Sequence, residues 1–171
     1  MLLDTPENLR RTQETPGMYD TLPQQIRIGR VVGIAVRTGP GAPMKELDEV
    51  LAATDGGLEG DNPSSPRRGV TLISQPQWTK ANEELGSDLP WHTRRANVLV
   101  DASSLGDLIG ATIALGDVLV RVEGETRPCA VMDAAHAGLL NALKPDCRGG
   151  VHGHILAGGR IRIGTEVRRV E

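Results

Sequence analysis

Short apolar stretches separated by glycine turns run through most of the chain. Ile26 to Arg37 (IRIGRVVGIAVR) alternates roughly between apolar and polar positions, the period of a strand with one buried face. Val50–Ala53, Val70–Ile73 and Asn97–Val100 are shorter segments of the same kind. Thr112–Leu115 and Val118–Val122 flank Gly116-Asp117, the signature of a tight strand connection. Val151–Leu156, Ile161–Ile163 and Val167–Val170 close the series, joined by Gly158-Gly159 and Gly164. Two segments change period. Ser74, with Gln77 three residues on, predicts a capped helix over Pro76–Leu85 that stops at Gly86. After Pro128-Cys129, the positions Val131, Ala134, Ala135, Leu139, Leu140 and Leu143 form one helical stripe that Pro145 ends. Many short strands, glycine turns and two modest helices predict a mainly β, α+β domain: a β-barrel or closed sheet carrying helices.

Residues 1–25 are polar, with Pro6, Pro16 and Pro23, and read as an arm or poorly ordered tail ahead of a domain over 26–171. A chain of 171 residues suits one such domain. Phe is absent and the aromatics are Trp78, Trp91 and Tyr19, so the core has to be built from Val, Ile, Leu and Ala. The net charge of −3 offers no global attraction to nucleic acid or an anionic membrane. No apolar run reaches the length of a membrane span, and the N-terminus lacks the order of a secretory signal, so a cytoplasmic protein is the expectation. The two cysteines make no disulfide framework. The cations are 16 Arg against 3 Lys, with pairs at Arg67-Arg68 and Arg94-Arg95 and an Arg148-Gly149-Gly150 run. Arginine suits a two-pronged grip on phosphate or carboxylate, although such pairs are commonly solvated surface.

Cys129 follows a strand and opens a helix. A thiol there meets the positive end of the helix dipole, which favours the thiolate, and Arg127 adds to that field. Thiolate attacks sulfur donors and ligates soft metals. The competing reading is a small buried hydrophobe, the commoner fate of a lone cysteine. Cys147 sits in a loop, where it either resolves an oxidised Cys129 or has no role. His152 and His154 share a strand face. With Cys129 they offer a weak zinc or copper pattern, and His152 alone offers a proton carrier beside a glycine-rich turn. GGLEGD at 56–61 and RGGVHG at 148–153 can turn backbone N–H groups toward an anion. Neither is a Walker or Rossmann fingerprint, and no NAD or flavin motif is present.

Taken in order, GLEGD (57–61), RRGVTLIS (67–74), RRANVLVD (94–101), LGDLIGATIALGDVLVRV (105–122), RPC (127–129) and RGGVHGHILAGGRIRIG (148–164) resemble the MOSC domain, named for the C-terminal domain of molybdenum cofactor sulfurase. The resemblance covers roughly residues 26–170. It departs at Thr165, where the family often has Asp after the glycine, and at Arg127, where an acid usually precedes Pro-Cys. The resemblance implies a β-barrel-like mixed domain of the pyruvate-kinase barrel type. It places the family's Pro-Cys thiol on Cys129, which carries a persulfide in sulfur-handling relatives and ligates molybdenum of a pterin cofactor in amidoxime-reducing ones. It places Arg95, Asn97, Arg148, Gly149 and Gly150 on family positions. With Arg67, Arg68 and His152, these form the expected grip on the molybdenum cofactor (molybdopterin).

Three functions follow as expectations. The first is a molybdenum-cofactor enzyme that reduces an N-hydroxylated small-molecule substrate with electrons from a separate electron-donor protein. The second is a persulfide sulfur carrier that takes sulfur from a cysteine desulfurase or another sulfur donor. The third is a non-catalytic anion or cofactor-binding module.

Overall fold

The computed structural model describes residues 25–62 and 65–170. The arm expected over residues 1–25 lies outside the described residues, apart from Gln25. In chain order the strands and helices are β1 (Ile26–Arg37), β2 (Met44–Glu46), β3 (Glu49–Ala52), β4 (Val70–Ser74), α1 (Gln75–Leu85), β5 (Val98–Val100), β6 (Thr112–Leu115), β7 (Val118–Glu125), α2 (Ala130–Ala135), α3 (Leu139–Leu143), β8 (Val151–Ala157), β9 (Gly159–Arg162) and β10 (Glu166–Arg169).

Seven of the strands close into a mixed barrel in the order β10, β6, β7, β8, β4, β5, β1, with β1 returning to β10. β4 and β5 run parallel, and the other barrel pairs run antiparallel. The long β1 makes closure feasible. Its first residues pair with β10, its middle with β5 and its end with β2, with register shifts between Arg27 and Gly29 and between Val31 and Gly33. Irregularities of this kind bend and twist a strand, which a closing sheet requires. β3 and β9 form a separate ribbon, Glu49–Ala52 against Gly159–Arg162.

The barrel interior is aliphatic, as the composition demands. Val31, Leu72, Val98, Ile113, Val120 and Ile155 are among its fully buried members. A second apolar cluster lies on the outside of β4 and β5, where Ile73 and Leu99 meet Trp78 and Ala81 of α1, Met132 of α2 and Leu139 and Leu143 of α3. The core is therefore two layers deep on the helical side only. Truncating a fully buried leucine such as Leu143 to Ala costs about 2–5 kcal/mol.

The helix over 75–85 forms as its capping pattern predicts. The Ser74 hydroxyl accepts from the Gln77 amide at 3.3 Å, and Gly86 stops the helix in the left-handed region. The reciprocal half of the capping box is missing, because the Gln77 side chain donates instead to the Asp146 carbonyl at 2.8 Å. The segment after Cys129 differs from its prediction. The single stripe is two short helices, α2 and α3, broken at His136–Gly138, where Gly138 takes φ 88°. β2 was not anticipated either. The Thr165 hydroxyl accepts from the Arg162 amide at 3.0 Å, so this turn is closed from within.

Candidate functional site

β1 ends, the Pro66–Arg68 turn, the loop before β5 and the β7–α2 connection meet at one end of the barrel. They line a cavity of about 200 Å³ with Arg37, Arg68, Thr71, Arg94, Arg95, Ala96, Thr126, Arg127 and Cys129. A larger hollow of about 560 Å³ lies between β3 and the Gly57–Asp61 loop, but its walls hold neither a thiol nor a cation.

The arginines are held in different ways. Arg37 is neutralised by Asp61, whose fully buried carboxylate accepts from the Arg37 amide at 2.7 Å, from Nε at 3.2 Å and from Nη2 at 2.8 Å. Asp61 ends the GLEGD segment, so this acid ties that loop to the cavity wall. Arg94 is buried, and its guanidinium donates to the Gly149 and Thr126 carbonyls, both at 2.9 Å. Arg95 takes φ 62°, which turns its side chain away from its neighbour to donate to the Ala42 carbonyl at 2.7 Å. Among the described residues, neither Arg68 nor Arg94 has a carboxylate in ion-pair range. Burial lowers the Arg94 pKa, the nearby Cys129 sulfur acts in the opposite sense, and Arg68 lowers it further. A buried guanidinium fixed by carbonyls alone leaves positive charge for an anion to compensate.

Cys129 is exposed at the rim, in extended backbone at the start of α2. Cys147 is half-buried, packs against the barrel core and donates to the Gly150 carbonyl at 3.4 Å. Burial, with help from Glu125, pushes its thiol up to about 11. The cavity wall includes Cys129 and not Cys147. Arg127 points outward, with its side chain 87% exposed and Glu125 at 3.8 Å.

The structure brings Arg68, Arg95 and Cys129 together and separates them from several other predicted site residues. Arg67 is exposed beside the cavity but does not line it. Asn97 is fully buried and fastens the barrel, accepting from Thr71 and donating to the Ala35 carbonyl at 3.1 Å. Arg148 is turned into the helical layer, where it grips Glu84 at 2.7 and 3.1 Å and the Ala142 carbonyl at 3.0 Å. It fastens α1 to α3 and has no donor pointed at the cavity among these contacts. Gly149 contributes its carbonyl to Arg94. A Cβ there would stand 2.5 Å from the Thr126 oxygen, so only glycine lets both carbonyls converge on one guanidinium. The Gly150 amide is taken by the Cys147 carbonyl at 2.9 Å. His152 stands behind the wall, 3.4 Å from the Thr126 hydroxyl, and its pKa is lowered by burial and then by Arg68. His154 faces Asp55 at 2.5 Å instead of joining Cys129. Arg37, Thr71, Arg94, Ala96 and Thr126 line the cavity but were not placed in the site by sequence reasoning. The Arg94-Arg95 pair was the visible signal for one of them.

The barrel fold agrees with the comparison to known proteins. The MOSC domain family model matches residues 59–168, and the chain belongs to that family. No curated protein matches it. Among solved structures, the YuaD protein from Bacillus subtilis is similar at 17% identity with a TM-score of 0.72, over 85% of this chain and 97% of that one. YiiM from Escherichia coli is similar at 17% identity and TM-score 0.65, over 83% and 70%. YiiM from Geobacillus stearothermophilus gives 16% and 0.64, over 86% and 75%. At these identities the likeness is one of fold. No helix among the described residues is long and apolar enough to cross a membrane.

Proposed function

We propose that this chain binds a molybdenum pterin cofactor and serves as an oxidoreductase for a small N-hydroxylated substrate, using electrons from a separate protein. The observation that carries the reading is the exposed Cys129 beside Arg68 and Arg94, two cations without a carboxylate partner among the described residues. The donor set fits the cofactor. A soft thiolate suits molybdenum, and guanidinium groups suit the pterin phosphate. Cys129 would ligate the metal, while Arg94 and Arg68 would hold the phosphate, with Arg95 at the same wall. When bound, the cofactor supplies two-electron reduction.

The chain's own residues then position and insulate. Arg94 is locked by two carbonyls, so little side-chain freedom is lost when an anion binds. Asp61 cancels Arg37, which leaves the remaining arginines to meet the anion. His152 Nδ1 lies 3.4 Å from the Thr126 hydroxyl, so it can hold that hydroxyl in place at the wall.

Metal and pterin analysis of protein freshly purified from a cofactor-producing host tests this reading. Bound molybdenum with pterin is expected. Protein without either would contradict it. The exposure of Cys129 favours a second reading, a sulfur carrier. There, the Cys129 thiolate attacks the outer sulfur of a donor persulfide, the new S–S bond forms on Cys129, and the donor leaves as thiolate. An added sulfur atom on the Cys129 peptide, in protein without molybdenum, would support that second reading.

A further inference from the structure

α2 presents an apolar face to solvent directly beside Cys129. Met132 is buried, whereas Ala130, Val131, Ala134 and Ala135 are exposed, Val131 at 55%. Asp133 is the only charged residue of α2, and its carboxylate is taken by the Leu140 amide at 2.9 Å. A surface helix ordinarily turns charged and polar residues outward. Exposed arginines stand near Cys129, at the start of this helix. Arg127, two residues before Cys129, has Glu125 at 3.8 Å. Arg67 and Arg68 occupy the Pro66–Arg68 turn, where Arg68 has no carboxylate in ion-pair range among the described residues. Arg68 and Arg127 share the cavity with Cys129. The whole chain carries a net charge of −3, so this is a basic rim on an acidic molecule.

Neither Val131 nor Arg67 lines the cavity. A small molecule held inside the cavity leaves both untouched, so they come into play only for a body that extends past the mouth. We infer that this face docks an acidic protein, one that sets a small apolar contact on α2 and brings a reactive group to Cys129. The inference rests on the reading of Cys129 as the reactive residue. Opposite charge steers the encounter, and the apolar contact at the centre supplies much of the grip.

Thiol–disulfide exchange on the full chain tests this without any cofactor. The probes are two peptides rich in Glu or Lys, each with a leucine and one cysteine held as a mixed disulfide with thionitrobenzoate. The Cys129 thiolate attacks the peptide sulfur, a new S–S bond forms between them, and thionitrobenzoate leaves as a coloured thiolate. The rate lost in Cys129→Ser belongs to Cys129. A neutral alkylating reagent reports its intrinsic reactivity.

The acidic probe is expected to react about tenfold faster than the basic one at low ionic strength, with the difference shrinking as salt is added. Arg67→Glu and Val131→Asp should each lower the ratio of acidic-probe rate to neutral-reagent rate. Equal rates for the two peptides, or an unchanged ratio in both variants, would overturn the docking inference while leaving Cys129 reactive. A Cys129 inert to every reagent would instead remove the reading beneath it. Three further outcomes would assign the face to another occupant. Selectivity that appears only after residues 1–24 are deleted would assign it to this chain's own arm. A dimer that Val131→Asp dissociates would assign it to a second copy. Sedimentation with phosphatidylglycerol vesicles, lost in Arg67→Glu, would assign it to a membrane surface.

Discussion

The two cysteines differ in their surroundings, and their chemistry should follow. Cys147 is half-buried and its thiol is pushed up to about 11, whereas Cys129 is exposed. Alkylation between pH 7 and 9, read by peptide mass, should label Cys129 first, because the thiolate is the reacting form. Equal labelling would contradict that order. Arg94 and Arg148 were both legible as arginines in suggestive company, yet their roles divide only in three dimensions. Arg94→Ala leaves the Gly149 and Thr126 carbonyls without their donor and should cost about 1–3 kcal/mol along with anion affinity. Arg148→Ala should lower Tm by a few degrees and leave anion binding unchanged, since its contacts lie between α1 and α3. Calorimetric melts beside phosphate titrations separate the two. Weakened phosphate binding in Arg148→Ala would put that residue back in the site.

His152 gives a pH test at the same scale. Its pKa is lowered in the fold by burial and by Arg68, so the unfolded chain takes up a proton more readily. The stability attached to neutral His152 is complete above the unfolded pKa of about 6.5. It is lost as pH falls from there through the lowered folded value. His152→Gln should flatten the decline of Tm over that window. An unchanged slope would show that other groups govern it.

At the scale of elements, local signals were reliable where the chain itself makes the structure. The Ser74 cap, the Gly86 stop and the Gly116-Asp117 hairpin all depend on neighbouring residues, and all are present. The stripe after Cys129 misled because its apolar positions continue across a break. Only its α3 members, Leu139, Leu140 and Leu143, join the buried layer, whereas Val131, Ala134 and Ala135 are exposed and α2 buries Met132 instead, with Gly138 turning the chain between the two helices. Gly138 lies at φ 88°, and a Cβ there would stand 3.0 Å from Leu85. Gly138→Ala should therefore destabilise by about 1–2 kcal/mol in denaturant melts. A neutral substitution would show that α2 and α3 can merge into the single helix the pattern suggests. The short β2 carries too little pattern to detect, and it forms because the end of β1 offers it a partner.

At the scale of the molecule, the number of short strands announced a closed β fold, but the closing contact was not visible. β1 meets β10 through pairs such as Ile26 with Arg169, at opposite ends of the described chain. The site is non-local in the same way. Asp61 reaches Arg37, and Gly149 reaches Arg94, across distances that no spacing rule covers. The resemblance identified Cys129 and named the family, while the barrel shows which arginines stand with the thiol. Cys129 at the mouth of that cationic cavity is the centre of the proposed chemistry. Its direct test is molybdenum content and Tm, measured on wild type and Cys129→Ser purified together from a cofactor-producing host. Serine is a hard, poor ligand of nearly the same size. The account predicts molybdenum in the wild type and its loss in the variant at an unchanged Tm. Equal molybdenum in both proteins would contradict it.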